Sequence, residues 1–175
     1  MDHGTPSAVY CVREKPRSNI DTAMLTQLGL SPGPWLKRVK DQAADPQEEV
    51  KIGGTTHRVG ELRERLLVST PGESIAYLTD FRLDVQSEDR LTEMLQGCAT
   101  IVCANNFRNG ERELADRTFH MVSDDVARLA AKVKPRKLIL FHLSDRYAHA
   151  EWQEQLADVR AVFPETYFPE SWNIR

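Results

Sequence analysis

A chain of 175 residues, 41% hydrophobic and 28% charged with a formal net charge of −3, has the length of one ordinary globular domain. That balance excludes a globally basic nucleic-acid binder, so any polyanion site has to be a local patch. No apolar run reaches membrane-spanning length, and the opening residues MDHGTPSAVYCVREKP lack the charged and apolar regions of a secretory signal.

In chain order, Met1 to Pro6 is polar and carries Asp2-His3-Gly4; such a turn running directly into a strand reads as the cut end of something longer. Residues 8–12 read as a strand, and residues 14–19, charged and holding Pro16, as a loop. Asp21 is a good N-cap for a helix running to Leu28, with Ala23, Met24 and Gln27 on one face and Gly29 as its stop. Ser31-Pro32-Gly33-Pro34 is a rigid turn, and residues 35–40 form a short helix that carries Lys37, Arg38 and Lys40 beside Trp35. A polar connector over 42–49 leads into a hairpin over 50–58 around Gly53-Gly54.

Residues 65–69 and 74–79 then read as strands, the second ending on Asp80. Ser87 or Glu88 opens a helix to Gln96, with Leu91, Met94 and Leu95 on one face and Gly97 closing it. Residues 100–103 are a buried strand, followed by the polar run Ala104-Asn105-Asn106. Ser123 caps a helix in which Val126, Leu129, Ala130 and Val133 recur at helical spacing, and Pro135 ends it. Residues 138–141 are a second buried strand, which delivers His142 into a polar turn. Residues 151–163 form a last helix with Trp152, Leu156, Val159 and Phe163 on one face, and 166–168 a last short strand. Strands alternating with helices give an α/β layered fold. Three cysteines, Cys11, Cys98 and Cys103, without Cys-x-x-Cys spacing point to reduced thiols in a cytoplasmic setting, with Cys103 filling space in its strand.

In open α/β sheets chemistry collects at the carboxyl ends of strands, where this chain places Asp80 and His142. His3 lies just before the first strand and His120 just before the Ser123 helix. A His/Asp set is the ligand chemistry zinc prefers, and a carboxylate can bridge two ions, which suits in-line attack on a phosphodiester. Each residue also has a plainer explanation. Asp80 serves as a turn or helix cap, His3 belongs to a terminal segment, His120 is a solvated loop histidine, and His142 is satisfied by a backbone carbonyl. Lys37, Arg38 and Lys40 are either a sequence-blind phosphate grip or a solvated basic face.

The segments DHGTPSAVYCVREKP, SPGP, PGESIAYLTD, RTFHMVSDDVARLA and LILFHLSDRY follow one another in an order and spacing that resembles the C-terminal half of the ribonuclease Z family. These are tRNA 3′-processing endonucleases of the metallo-β-lactamase superfamily, and the resemblance runs nearly end to end. It implies the C-terminal half of a four-layer αββα sandwich with an inserted arm at about 15–50. It implies two zinc ions, with His3, Asp80 and His142 as ligands, Asp80 bridging, and His120 assisting catalysis. It makes Pro32, Gly33, Pro34, Lys37, Arg38 and Lys40 the arm residues that grip a tRNA precursor. The implied reaction is metal-assisted hydrolysis on the 3′ side of the discriminator nucleotide.

The sequence departs from the family's pattern in several places. The family's His-x-His-x-Asp-His cluster occurs nowhere in the 175 residues. Cys103-Ala104-Asn105-Asn106 stands where the family has His-Glu-Ala-Thr, so the glutamate that orients the catalytic histidine is missing. Met121-Val122 replaces Ser-Thr, and Thr79 and Phe81 flank Asp80. His3, Asp80 and His142 leave two protein ligands per ion, where catalytic zinc uses three plus water. The chain alone is therefore expected to bind zinc weakly and to cleave RNA poorly. His120 is expected to lack any group that fixes its tautomer. Half a sandwich leaves an apolar sheet face bare, which implies a homodimer or a complementary N-terminal half as partner. Two other readings keep the fold: a non-catalytic RNA-binding subunit, or a hydrolase of another phosphodiester or ester.

Overall fold

The structure, a computed structural model, describes residues 4–172. Its elements run β1 (Val9–Arg13), β2 (Arg17–Ile20), α1 (Thr22–Gln27), α2 (Trp35–Lys40), β3 (Glu49–Ile52), β4 (Thr55–Arg58), α3 (Val59–Leu66) and β5 (Leu67–Thr70). They continue with β6 (Ser74–Leu78), α4 (Val85–Leu95), β7 (Thr100–Ala104), α5 (Arg112–Arg117), α6 (Ser123–Val133), β8 (Lys137–Phe141), α7 (His149–Val162) and β9 (Thr166–Tyr167). No helix among the described residues is long and apolar enough to cross a membrane.

The chain divides into two compact units. Residues up to Glu14 join those from Glu73 onward in one, and Lys15–Gly72 forms the other. The first unit is built on a five-stranded sheet in the order β1-β6-β7-β8-β9. β1 is antiparallel to β6; the other neighbours are parallel and joined through helices. Ala76, Leu78, Ile101, Cys103, Leu138 and Leu140 point to one face and pack with Leu91, Leu95, Val126, Leu129, Leu156 and Val159 of α4, α6 and α7. Cross-strand register aligns Tyr10, Tyr77, Val102, Ile139 and Tyr167 in one row across all five strands on the opposite face. Tyr10 and Val12 there are each 64% exposed and Ile75 48%.

Two helix starts lie away from the expected residue. α4 opens at Val85, because Asp84 and Ser87 cap each other: the Asp84 carboxylate accepts from the Ser87 N–H at 2.7 Å and the Ser87 hydroxyl accepts from the Asp84 N–H at 2.9 Å. Met94 of α4 is 41% exposed, so of the three apolar residues only Leu91 and Leu95 face inward. At α6, Ser123 is buried inside the helix, and it is the Asp125 carboxylate that accepts from the Val122 N–H at 3.2 Å. The six-residue α5 buries only Ala115, so it gives no apolar periodicity to read.

The second unit contains two antiparallel pairs, β2-β5 and β3-β4, around a core of Leu25, Trp35, Val39, Ile52, Leu62 and Leu66. Residues 17–19, read above as loop, form a strand with Ile20 because each finds a partner in β5, from Arg17↔Thr70 to Ile20↔Leu67. Residues 65 and 66, read as strand, end α3, whose Val59, Leu62 and Leu66 are buried at i, i+3 and i+7. In α1 the inward residue is Leu25, while Asp21 caps the helix as expected and accepts from Ala23 and Met24 N–H at 3.0 Å. The Arg63 guanidinium closes the carboxyl end of α2, donating to the carbonyls of Val39 at 3.1 Å, Ala44 at 3.0 Å and Asp41. A helix end leaves such carbonyls unpaired, and a cation there meets the helix dipole favourably. Gly60 lies so close to Pro46 that a Cβ would sit 3.0 Å from its carbonyl oxygen.

Candidate metal centre

Asp80 follows β6 by two residues and His142 follows β8 directly, so both side chains stand at the carboxyl rim of the parallel strands. His120 reaches the same rim from the segment before α6, where its N–H donates to the Ala115 carbonyl at 2.8 Å. One ligand-capable atom from each of Asp80, His120 and His142 lies within 4.8 Å of the other two. His142 Nε2 is 3.2 Å from Asp80 Oδ1, and the two imidazole rings are parallel within 5° at 6.2 Å.

The Asp80–His142 contact is close in distance but not aligned as a hydrogen bond. Asp80 Oδ1 is buried and receives no hydrogen bond among the described residues. A buried carboxylate oxygen without a donor is rare and calls for a positive partner. An acceptor oxygen facing two imidazoles is also the donor set a zinc ion takes. On that observation the residues fit a bound cation.

The backbone of His142 is left-handed, with φ 54°, a region non-glycine residues seldom occupy and one that clusters at functional sites. Its carbonyl accepts from Asn106 Nδ2 at 3.2 Å. Behind it, the fully buried Gln155 of α7 donates to the Asn105 carbonyl at 3.3 Å, and the Asn105 N–H donates to the Phe141 carbonyl at 2.9 Å. The polar run after β7 is thus a strut for the histidine turn. Nothing in the spacing of Asn105, Asn106 and Gln155 signals this, since they meet only across strands.

His120 corrects one expectation. Its Nδ1 lies 2.7 Å from the Thr118 carbonyl oxygen, which can only accept. The ring is therefore protonated at Nδ1, so a backbone carbonyl fixes the tautomer without any carboxylate. Phe107 meets the ring edge-on at 5.4 Å. Met121 and Val122 are 2% and 0% exposed, which makes them core rather than site. Burial pushes the Cys103 thiol up to about 12, so it stays protonated and inert.

His3 lies outside the described residues. The arm residues all belong to the second unit. Pro32, Gly33 and Pro34 precede α2, and Lys37 and Lys40 are exposed on it. Arg38 is engaged: it donates to both Glu48 oxygens, at 2.8 and 2.5 Å, and to Asp41 at 3.2 Å. The hydrogen bond and charge of Glu48 raise its pKa further.

A largely parallel sheet with an Asp–His–His group at its strand ends defines an α/β protein with a candidate metal centre. No protein-family model matches the chain. Its curated relatives carry the name ribonuclease Z. The protein from Deinococcus radiodurans is 41% identical over 98% of this chain and 51% of its own length. That from Bacillus licheniformis is 30% identical over 95% of this chain and 51% of its own. Among solved structures, the metallo-β-lactamase fold protein YhfI of Bacillus subtilis overlaps 71% of this chain and 49% of its own, with a TM-score of 0.46 and 15% identity. Human tRNase Z, short form, overlaps 62% of this chain and 37% of its own, with a TM-score of 0.43 and 17% identity. By sequence the chain is similar to ribonuclease Z along nearly its whole length, and it spans about half the length of the curated relatives it matches.

Proposed function

We propose that the chain supplies part of a cytoplasmic, zinc-dependent endonuclease of the ribonuclease Z type, which cuts a tRNA precursor at its 3′ side. The observation that carries this reading is the buried, unbonded Asp80 Oδ1 beside His142 Nε2 at 3.2 Å. The 41% identity to a ribonuclease Z supports it. Asp80 and His142, with His3, would hold two zinc ions, which when bound supply Lewis acidity toward a phosphodiester. His120, held at Nδ1 by the Thr118 carbonyl, would first take a second proton at Nε2 from solvent and then deliver that proton to the leaving oxygen. Lys37 and Lys40, beyond the Pro32-Gly33-Pro34 turn, would lie along phosphates, while Arg38 would have to exchange its carboxylate partners for them.

The chain alone supplies too few ligands for two ions, so full activity requires the rest of a ribonuclease Z fold. The same partner, or a second copy of the chain, would cover the bare row from Tyr10 to Tyr167 and complete a four-layer sandwich.

The test is trailer release from a synthetic tRNA precursor with zinc. The chain is assayed alone and with the complementary half of the Deinococcus radiodurans relative. Release is expected only from the pair, with loss in Asp80→Asn and His142→Ala. No release from the pair, or release that Asp80→Asn leaves unchanged, would overturn the reading. Cleavage of bis(p-nitrophenyl) phosphate without trailer release would point to a different phosphodiester.

A further inference from the structure

Two of the three cysteines meet in the first unit. Cys98 is buried in the turn between α4 and β7, and Cys11 of β1 is half-buried against the same core. The Cys11 side chain is a hydrogen-bond partner of the Cys98 thiol. We propose that Cys11 and Cys98 form a peroxide-sensitive thiol pair, which closes into a disulfide and clasps β1 to the α4–β7 turn.

The contacts on either side of the pair fix the backbone that carries it. In the β1–β6 pairing Cys11 lies opposite Ala76, and Arg13 opposite Ser74. The Ser74 hydroxyl accepts from the N–H of Ala99, the residue after Cys98, at 2.8 Å. The Arg13 guanidinium donates to the carbonyls of Met94 and Gln96, both at 3.0 Å. β1 and β6 thus hold the turn on both sides of Cys98, through Gln96 and Ala99. A disulfide demands that two cysteines face each other without backbone movement, and side chains already in contact across a fixed backbone meet that demand.

The two sulfurs have different parts in the reaction. Cys11 is the one a small oxidant can reach. Its thiolate attacks one oxygen of hydrogen peroxide, the O–O bond breaks, and the departing hydroxide takes up the Cys11 proton as water, leaving a sulfenic acid. The Cys98 sulfur then attacks the Cys11 sulfur. The S–O bond breaks, and hydroxide leaves with the Cys98 proton as a second water. Two thiols are oxidised by two electrons to one disulfide, and one peroxide is reduced to two waters. Burial pushes the Cys98 thiol up, so it stays protonated until an electrophilic sulfur forms beside it. Cys103 takes no part, since it is 1% exposed and its own thiol is pushed up to about 12. The closed loop would enclose all of Lys15–Gly72, and a link between residues so far apart in sequence constrains the unfolded chain.

The test treats the purified 175-residue chain with hydrogen peroxide, then unfolds it and counts its thiols. The count is expected to fall from the three that the sequence holds to one, Cys103, with the Cys11 peptide linked to the Cys98 peptide by mass spectrometry. The melting temperature is expected to rise by at least about 4 °C. Dithiothreitol should reverse both changes. Cys98→Ala is expected to stop at the Cys11 sulfenic acid, which dimedone captures. Cys11→Ser is expected to keep both of its remaining thiols.

Three thiols surviving the peroxide would overturn the proposal. So would a linkage to Cys103 or between two chains, or a Cys11 oxidised past the sulfenic acid while Cys98 stays a thiol. A Cys11–Cys98 link without a rise in melting temperature would overturn the clasp.

Discussion

On one face of the five-stranded sheet, Leu78, Cys103 and Leu140 lie in a row under α4, α6 and α7, each no more than 1% exposed. On the other face, one residue along each strand, Tyr77 and Tyr167 lie 41% and 36% exposed in the row that also holds Val102 and Ile139. Both rows are apolar, so composition does not separate them. Only the connections do, because the parallel crossovers place their helices on a single face. An isolated antiparallel sheet would put polar residues on its wet side, whereas strands apolar on both faces belong to a sheet meant to be covered twice. The contrast teaches that the helical face is where the stability of the first unit resides, while the row from Tyr10 to Tyr167 adds little to it.

Four measurements would break or sharpen that contrast. The largest effect should come from the covered face. Leu140→Ala is expected to lower unfolding free energy by about 2–5 kcal/mol, read by chemical denaturation, because the packed helices cannot collapse into the space. At the rim, where the two faces meet, Asn106→Ala removes the donor holding the left-handed His142 carbonyl. It is expected to weaken Co²⁺ binding by about 10–100-fold with little change in melting temperature. A large melting shift with unchanged binding would make Asn106 structural only.

A smaller effect belongs to the α4 cap. Asp84→Ala is expected to cost about 1 kcal/mol at neutral pH. The hydrogen bonds from Ser87 hold the Asp84 carboxyl below its ordinary range. Its contribution is therefore present above that ordinary range and is lost as pH falls and the carboxylate takes a proton. The gap between native and mutant melting temperatures should close on acidification; a gap independent of pH would contradict the cap. The smallest effect on folding is expected on the bare face. Ile75→Glu should shift unfolding by less than about 0.5 kcal/mol. Yet it should abolish self-association in sedimentation velocity and weaken capture of a complementary ribonuclease Z half. Destabilisation comparable to Leu140→Ala would mean that this face is packed after all.

The two units differ in how well they could be read. In the first, strands such as β7 and β8 are short apolar runs bounded by polar turns, and α6 repeats its apolar residues at helical spacing, so both were legible. In the second, β2 is Arg17-Ser18-Asn19-Ile20, which has no strand pattern of its own and exists through pairing with β5. Arg63 there closes a helix end through backbone carbonyls, a contact with no sequence pattern of its own.

The amino-acid order alone determined that an aspartate and a histidine end two parallel strands, since a buried strand bounded by a polar turn fixes where its last residue emerges. It also carried the relationship to ribonuclease Z, which lies in the sequence of motifs. Only the tertiary structure decided that His120 joins Asp80 and His142, that Thr118 sets its proton, and that Asn106 props the turn. Those contacts run through backbone carbonyls and across strands, and a backbone carbonyl is present at every residue, so no side-chain pattern can announce which one is used.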